Sequence, residues 1–123
     1  MLTRLLLVAL GGALGAVARY GVYELVKDTT GLGSALGTLC VNVVGSALIG
    51  LVAVAVVPRL SDGGGLLLMT GVLGAFTTFS TFSLDVVVLA QAGRLGTALA
   101  FVLANVLGSI GAAWAVWSLA TPS

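Results

Sequence analysis

Charge is the feature that most constrains this chain. Nine of its 123 residues carry one: Arg4, Arg19, Glu24, Lys27, Asp28, Arg59, Asp62, Asp85 and Arg94. Between them lie uncharged stretches of 14 residues (Leu5 to Ala18), 30 (Thr29 to Pro58), 22 (Gly63 to Leu84) and 29 (Leu95 to Ser123). A helix crosses the hydrocarbon layer with about 20 predominantly apolar residues. The last three stretches reach that length, and the first does so if Arg19 lies within or near the end of its span. Soluble domains carry about 25% charged residues. This chain carries 7%, too few to cover a surface in water. The expected fold class is an all-α membrane protein: one domain over residues 1–123, with four transmembrane helices at about 3–26, 34–57, 65–91 and 95–118.

Composition removes several function classes. There is no His and one Cys, so His-based catalysis, His/Cys metal sites and an intrachain disulfide are excluded. No nucleophile–base pair is present, which argues against an enzyme. Five scattered cations and a net charge of +1 leave no footprint for nucleic acid. Arg4, the apolar run and Ala16-Val17-Ala18 imitate a signal peptide, but three further spans follow and Arg19-Tyr20 continues the helical pattern, so cleavage is not expected. The chain reads as a multi-pass membrane protein.

Orientation is nearly unbiased. Arg4 and Arg59 fall on one side of a four-helix chain, Lys27 and Arg94 on the other. Two cations against two give no preferred topology under the positive-inside rule. Either few charges make any count look balanced, or the chain inserts both ways and two opposed copies pair as an antiparallel dimer.

Small residues mark the seams: Gly11-x-x-x-Gly15, Ser46-x-x-x-Gly50 and Ala104-x-x-x-Gly108 allow close helix approach where the hydrophobic effect no longer drives association. Intramembrane polar residues are costlier and usually face the bundle interior. Thr38, Asn42 and Ser46 are spaced four apart, as are Asn105 and Ser109, so each set shares a helix face. Such residues either bond between helices or line a path. Lone Cys40 reads as packing. Trp114, Trp117, Tyr20 and Tyr23 near helix ends read as interfacial anchors.

Helix 3 carries the sharpest signal. Gly71-Val72-Leu73-Gly74-Ala75-Phe76-Thr77-Thr78-Phe79-Ser80-Thr81-Phe82-Ser83 places two glycines and then five Ser/Thr within seven positions in the middle of a span. Gly and Thr are weak helix formers, and Ser/Thr hydroxyls compete for backbone bonds. A third helix broken mid-membrane near Gly74–Thr78 is expected, the alternative being an intact helix with back-bonded hydroxyls. Such breaks are tolerated where buried in protein, and their freed carbonyls suit cations. Phe79 and Phe82 lie near one face, and the positive edges of their rings beside an Asn amide could contact a small anion.

The run Gly11-Gly12-Ala13-Leu14-Gly15-Ala16-Val17-Ala18-Arg19-Tyr20, the segment Gly37-Thr38-Leu39-Cys40-Val41-Asn42-Val43-Val44-Gly45 and the run Thr77-Thr78-Phe79-Ser80-Thr81-Phe82-Ser83 together resemble the Fluc (CrcB) family of bacterial fluoride channels over nearly the whole chain. The resemblance implies a dual-topology antiparallel dimer with two pores, built from a second copy or a paralogous chain, and a structural Na+ at its centre that is not transported. It implies passive export of cytoplasmic fluoride, which accumulates because HF crosses membranes and ionises inside, and hence reduced fluoride toxicity. By motif position, Asn42 would donate its amide N–H to fluoride. Phe79 and Phe82 would line the path with Ser80, Thr81, Asn105 and Ser109. Arg19 would keep a vestibule positive, and Gly74 and Thr77 would offer backbone carbonyls to Na+. Asp85 stands where members often have Glu, Ala75 replaces a common Gly, and Phe101 and Asn105 fall where Tyr or Phe and Ser are expected.

The alternative is a four-helix transporter of the small multidrug-resistance type. That chemistry needs a carboxylate deep in helix 1, and Glu24 lies near the helix end. A non-transporting membrane subunit would account for the glycines but not for polar stripes on three helices.

Overall fold

The computed structural model describes residues 1–27 and 29–121, and among these the chain is helical with no strand. Helix α1 covers Leu2–Val26. Helix α2, Ala35–Leu51, runs on through a π-helical turn, Val52–Val56, and a 3-10 turn, Val57–Arg59. Pro58 stops it, having no N–H to continue the ladder. The Ser61 hydroxyl then accepts the Gly64 N–H at 3.4 Å and starts α3, Asp62–Gly65, with Asp62 in the first turn, where a carboxylate suits the positive helix end. A π-helical segment, Leu66–Leu73, leads into α4, Gly74–Phe76.

The chain then leaves helical geometry for two residues. Thr77 (φ −82°, ψ 159°) and Thr78 (φ −154°, ψ 120°) are extended. Helix α5, Phe79–Gln91, restarts at once, capped by the Thr78 hydroxyl, which accepts the Thr81 N–H at 3.2 Å. Gly93, at φ +75°, turns the chain into α6, Leu95–Ala120.

Among the described residues, four segments are long and apolar enough to cross a membrane: Leu2–Val26, Ala35–Arg59, Asp62–Gln91 and Leu95–Ala120. The shortest has 25 residues, about 37 Å at 1.5 Å per residue, against a hydrocarbon layer of about 30 Å. On α1, Leu2, Leu5, Leu6, Leu10, Leu14 and Val17 are all exposed, a face that only lipid or another apolar surface can solvate well.

Packing brings α2 against α6 and α1 against the Leu66–Leu73 segment. The second contact is backbone to backbone: a Cβ on Gly11 would lie 2.3 Å from the Leu67 carbonyl oxygen, and one on Gly71 would lie 2.8 Å from Gly11 Cα. The small-residue seam of α1 is therefore a tight helix contact. Gly50 does the same between α2 and α6, where a Cβ would meet the Ala113 carbonyl oxygen at 2.7 Å. The apolar core gathers Ala35, Phe82, Leu89, Ala98 and Phe101, which fixes α5 between α2 and α6.

Candidate functional site

A polar ladder climbs one face of α2. Ser34, Thr38, Asn42 and Ser46 recur every fourth residue; Ser34 and Thr38 share one partner, and Asn42 has others. At the start of α2 the Thr38 hydroxyl donates to Asp85 Oδ2 at 2.5 Å, and the Ser34 hydroxyl donates to Asp85 Oδ1. Thr38 is fully buried and Asp85 is 5% exposed, so this carboxylate of α5 depends on two hydroxyls of α2 to offset its desolvation. Tyr23 of α1 lies 2.6 Å from the Thr38 hydroxyl oxygen. With the Thr38 proton directed at Asp85, Tyr23 is the donor. Tyr23 thus bridges α1 to α2, whereas Tyr20, expected like it to be an interfacial anchor, is exposed.

One turn further on, Asn42 holds the non-helical residue. Its Oδ1 accepts the Thr78 N–H at 2.7 Å, and its Nδ2 donates to the Thr78 carbonyl at 2.9 Å. The same Nδ2 donates to Asn105 Oδ1 on α6, also at 2.9 Å. Both amide protons of Asn42 are therefore engaged. An extended residue turns its own N–H and C=O to one side, as in a strand pair, which is why one side-chain amide can bond both.

Asn42, Ser46, Thr77, Phe79, Phe82, Asn105 and Ser109 line a cavity of about 340 Å³. Two buried polar atoms there, Asn105 Nδ2 and Ser109 Oγ, have no hydrogen-bond partner among the described residues. Such groups are costly to leave unpaired when buried. The wall opposite is aromatic. Phe79 and Phe82 stand 5.3 Å apart between ring centroids at 59°, and Phe82 stands 5.6 Å from Phe101. Phe82 is 7% exposed and Phe79 76%, so the cavity is enclosed on one side of this chain and open on the other.

A second cavity of about 630 Å³ is lined by Arg19, Tyr20, Tyr23, Lys27, Ser34 and Thr81. Arg19 Nη1 donates to the Thr77 carbonyl at 3.4 Å, bringing a guanidinium to the end of α4. Lys27 pairs with Glu24 at 2.7 Å, and this carboxylate holds the ammonium above its ordinary pKa.

Of the residues singled out from the sequence, Asn42, Thr77, Phe79, Phe82, Asn105 and Ser109 meet at the first cavity, and Arg19 and Thr81 at the second. Ser80 is exposed beside Thr78, its hydroxyl 3.4 Å from that of Thr78. Gly74 is exposed at the start of α4. Sequence reasoning gives Thr78 and Ser34 no role at the site, reads Tyr23 as an interfacial anchor and Thr38 as part of the polar stripe, and notes Asp85 without a partner. The four-residue spacing from Ser34 to Ser46 places Ser34 and Thr38 on the face of Asn42 but does not name Asp85 as their partner.

Comparison with known proteins agrees over the length of the chain. Residues 6–117 match the family described as CrcB-like protein, Camphor Resistance (CrcB). A Fluoride-specific ion channel FluC from Paracoccus denitrificans is 48% identical over 105 residues, 85% of this chain and 84% of that protein. Proteins of the same name from Agrobacterium fabrum and Thermus thermophilus are 49% identical over 111 residues (89% of each chain) and 48% identical over 99 residues (80% and 79%). With four membrane-length helices among the described residues and a match over residues 6–117 that reaches into each of them, the chain belongs to the CrcB-like family.

Proposed function

We propose that this chain is a fluoride-specific ion channel of the bacterial membrane that passes fluoride passively down its electrochemical gradient. The observation that carries the reading is the pair of buried donors, Asn105 Nδ2 and Ser109 Oγ, that have no partner among the described residues and lie on the cavity faced by Phe79 and Phe82. Fluoride is small and strongly hydrated, so a path through a low-dielectric layer must replace its water with donors and positive ring edges. The names of the relatives support the same substrate. Asn42, Ser80, Thr81, Asn105, Ser109, Phe79 and Phe82 belong to this path, with Arg19 at its vestibule. A small multidrug-resistance mechanism finds less support, because Glu24 is exposed and already paired with Lys27.

The interruption at Thr77–Thr78 falls at the middle of the 30-residue segment Asp62–Gln91, which supports a third helix broken mid-membrane. The working unit is an antiparallel dual-topology dimer, of two copies or of this chain with a paralogue. Three observations favour it: the two-against-two distribution of loop cations, the exposed Phe79, and a cavity open on one side. Gly74 at the start of α4 and Thr77 just past its end carry carbonyl oxygens, the kind of ligand a hard cation takes, although the Thr77 oxygen already accepts from Arg19 Nη1 at 3.4 Å. Two oxygens are few for such an ion, and a second copy would double the set, so a structural Na+ would lie between protomers and offset the repulsion among anions.

The test is flux from liposomes loaded with potassium fluoride. On adding valinomycin, the purified chain should release fluoride rapidly, read by a fluoride electrode, and chloride negligibly. Equal release of chloride, or no release from folded protein supplied with sodium and a paralogue, would overturn the reading.

A further inference from the structure

We infer that in this chain Asn105, rather than Asn42, presents the amide that meets the permeating anion, and that Asn42 is a positioning residue holding the Thr78 peptide extended. The inference rests on the fluoride-channel reading and refines which groups perform it.

An Asn side chain has two N–H donors and one carbonyl oxygen. In Asn42 the two protons go to the Thr78 carbonyl and Asn105 Oδ1, and the oxygen takes the Thr78 N–H. To donate to an ion, Asn42 would have to abandon a buried acceptor and leave it unsatisfied. Asn105 is in the opposite state. Its oxygen is fixed by Asn42, which turns its Nδ2 the other way, and that nitrogen is buried with no partner among the described residues. The residue is only 4% exposed, so water does not satisfy it from the surface. Ser109, one turn further along α6, is unpartnered as well, and both line the cavity of Phe79 and Phe82. Hydrogen bonds in a chain polarise one another: accepting from Asn42 makes the Asn105 amide a better donor. The path from the Thr78 backbone through Asn42 to Asn105 thus ends in two free N–H groups at the site.

The sequence allows a direct test, because these are its only two asparagines. Protein labelled with ¹⁵N in asparagine alone, in lipid bilayers with sodium, gives two side-chain amide pairs, assigned by the loss of one in Asn105→Ser. Titration with fluoride should move the Asn105 pair, saturably and not with chloride, while the Asn42 pair moves less. Asn105→Ala should lower fluoride flux about tenfold or more, the cost of one lost hydrogen bond to an ion. In Asn42→Ala the Asn105 pair should still titrate, at about tenfold higher fluoride, because its oxygen has lost its orienting donor. Movement of the Asn42 pair equal to or beyond that of Asn105, or no movement of either in protein that conducts fluoride, would overturn the assignment. Absence of both fluoride flux and any shift would overturn the channel reading itself.

Discussion

Thr38 and Asp85 join α2 to α5 through a 2.5 Å hydrogen bond between two buried side chains. The carboxylate has no cation within ion-pairing distance among the described residues. Its desolvation is met by the Thr38 and Ser34 hydroxyls alone. This pair ties the middle of α5 to the first turn of α2, which helps to keep the Thr77–Thr78 segment before α5 beside Asn42, one turn further along α2.

Removing the Thr38 hydroxyl should therefore cost more than an ordinary intramembrane hydrogen bond, which averages about 0.6 kcal/mol. Thr38→Val keeps the shape but takes a donor from a buried carboxylate and an acceptor from Tyr23. We expect a loss of about 1.5–3 kcal/mol, the range for bonds to charged groups, and near recovery in Thr38→Ser. Reversible unfolding in mixed micelles checks both, and a Val variant as stable as the parent would remove Asp85 from the structural argument.

Two glycines one residue apart should behave oppositely. A Cβ on Gly11 meets the Leu67 carbonyl oxygen at 2.3 Å, while one on Gly12 meets nothing within 4 Å. Gly11→Ala should lose about 1–3 kcal/mol through overpacking against backbone that cannot move aside. Gly12→Ala should gain about 0.5–1 kcal/mol from helix propensity. The same unfolding measurement reads both.

How far the sequence alone leads is clear from these residues. Charge spacing located four membrane-length helices because a helix that crosses lipid must exclude charge almost completely, a constraint far stronger than any in a soluble fold. The motif runs reached the family because they are long and occur in order. Partner choice was not legible. Thr38, Asn42 and Ser46 share one face by period alone, yet Thr38 bonds Asp85 while Asn42 bonds a backbone peptide 36 positions away. The helical period places a side chain on a face and says nothing of which extended residue another helix will bring there. The π-helical stretch Leu66–Leu73 was equally hidden: Thr70 and Gly71 weaken a helix there, but propensity does not tell a π-helical turn from an α-helical one.

The aromatic pair separates conduction from stability. Phe82 is enclosed and touches Phe101 and Phe79, so Phe82→Ala should cost about 3–5 kcal/mol and says little about the path. Phe79 is 76% exposed in the single chain. Phe79→Ile should leave unfolding of the chain within about 0.5 kcal/mol and still lower fluoride flux at least tenfold, the equivalent of about 1.4 kcal/mol. Parallel flux and unfolding curves check this, and unchanged flux would remove the Phe79 ring from the path.

Orientation offers the widest test, because it depends on so few charges. Arg4 and Arg59 face Lys27 and Arg94 across the membrane, so one or two added cations should decide how the chain inserts. Adding two lysines beside Arg59, through Leu60→Lys and Ser61→Lys, should turn that side to the cytoplasm, while Ala92→Lys and Gln91→Lys should turn the opposite side. Accessibility of tags at the termini should change from mixed in the parent to single in each variant. If the conducting unit is antiparallel, each biased variant alone should give flux near background, and the two co-expressed should recover it. Full flux from one uniformly oriented variant would overturn the antiparallel arrangement, and would require the open side of the Phe79 cavity to be closed by something other than an inverted copy.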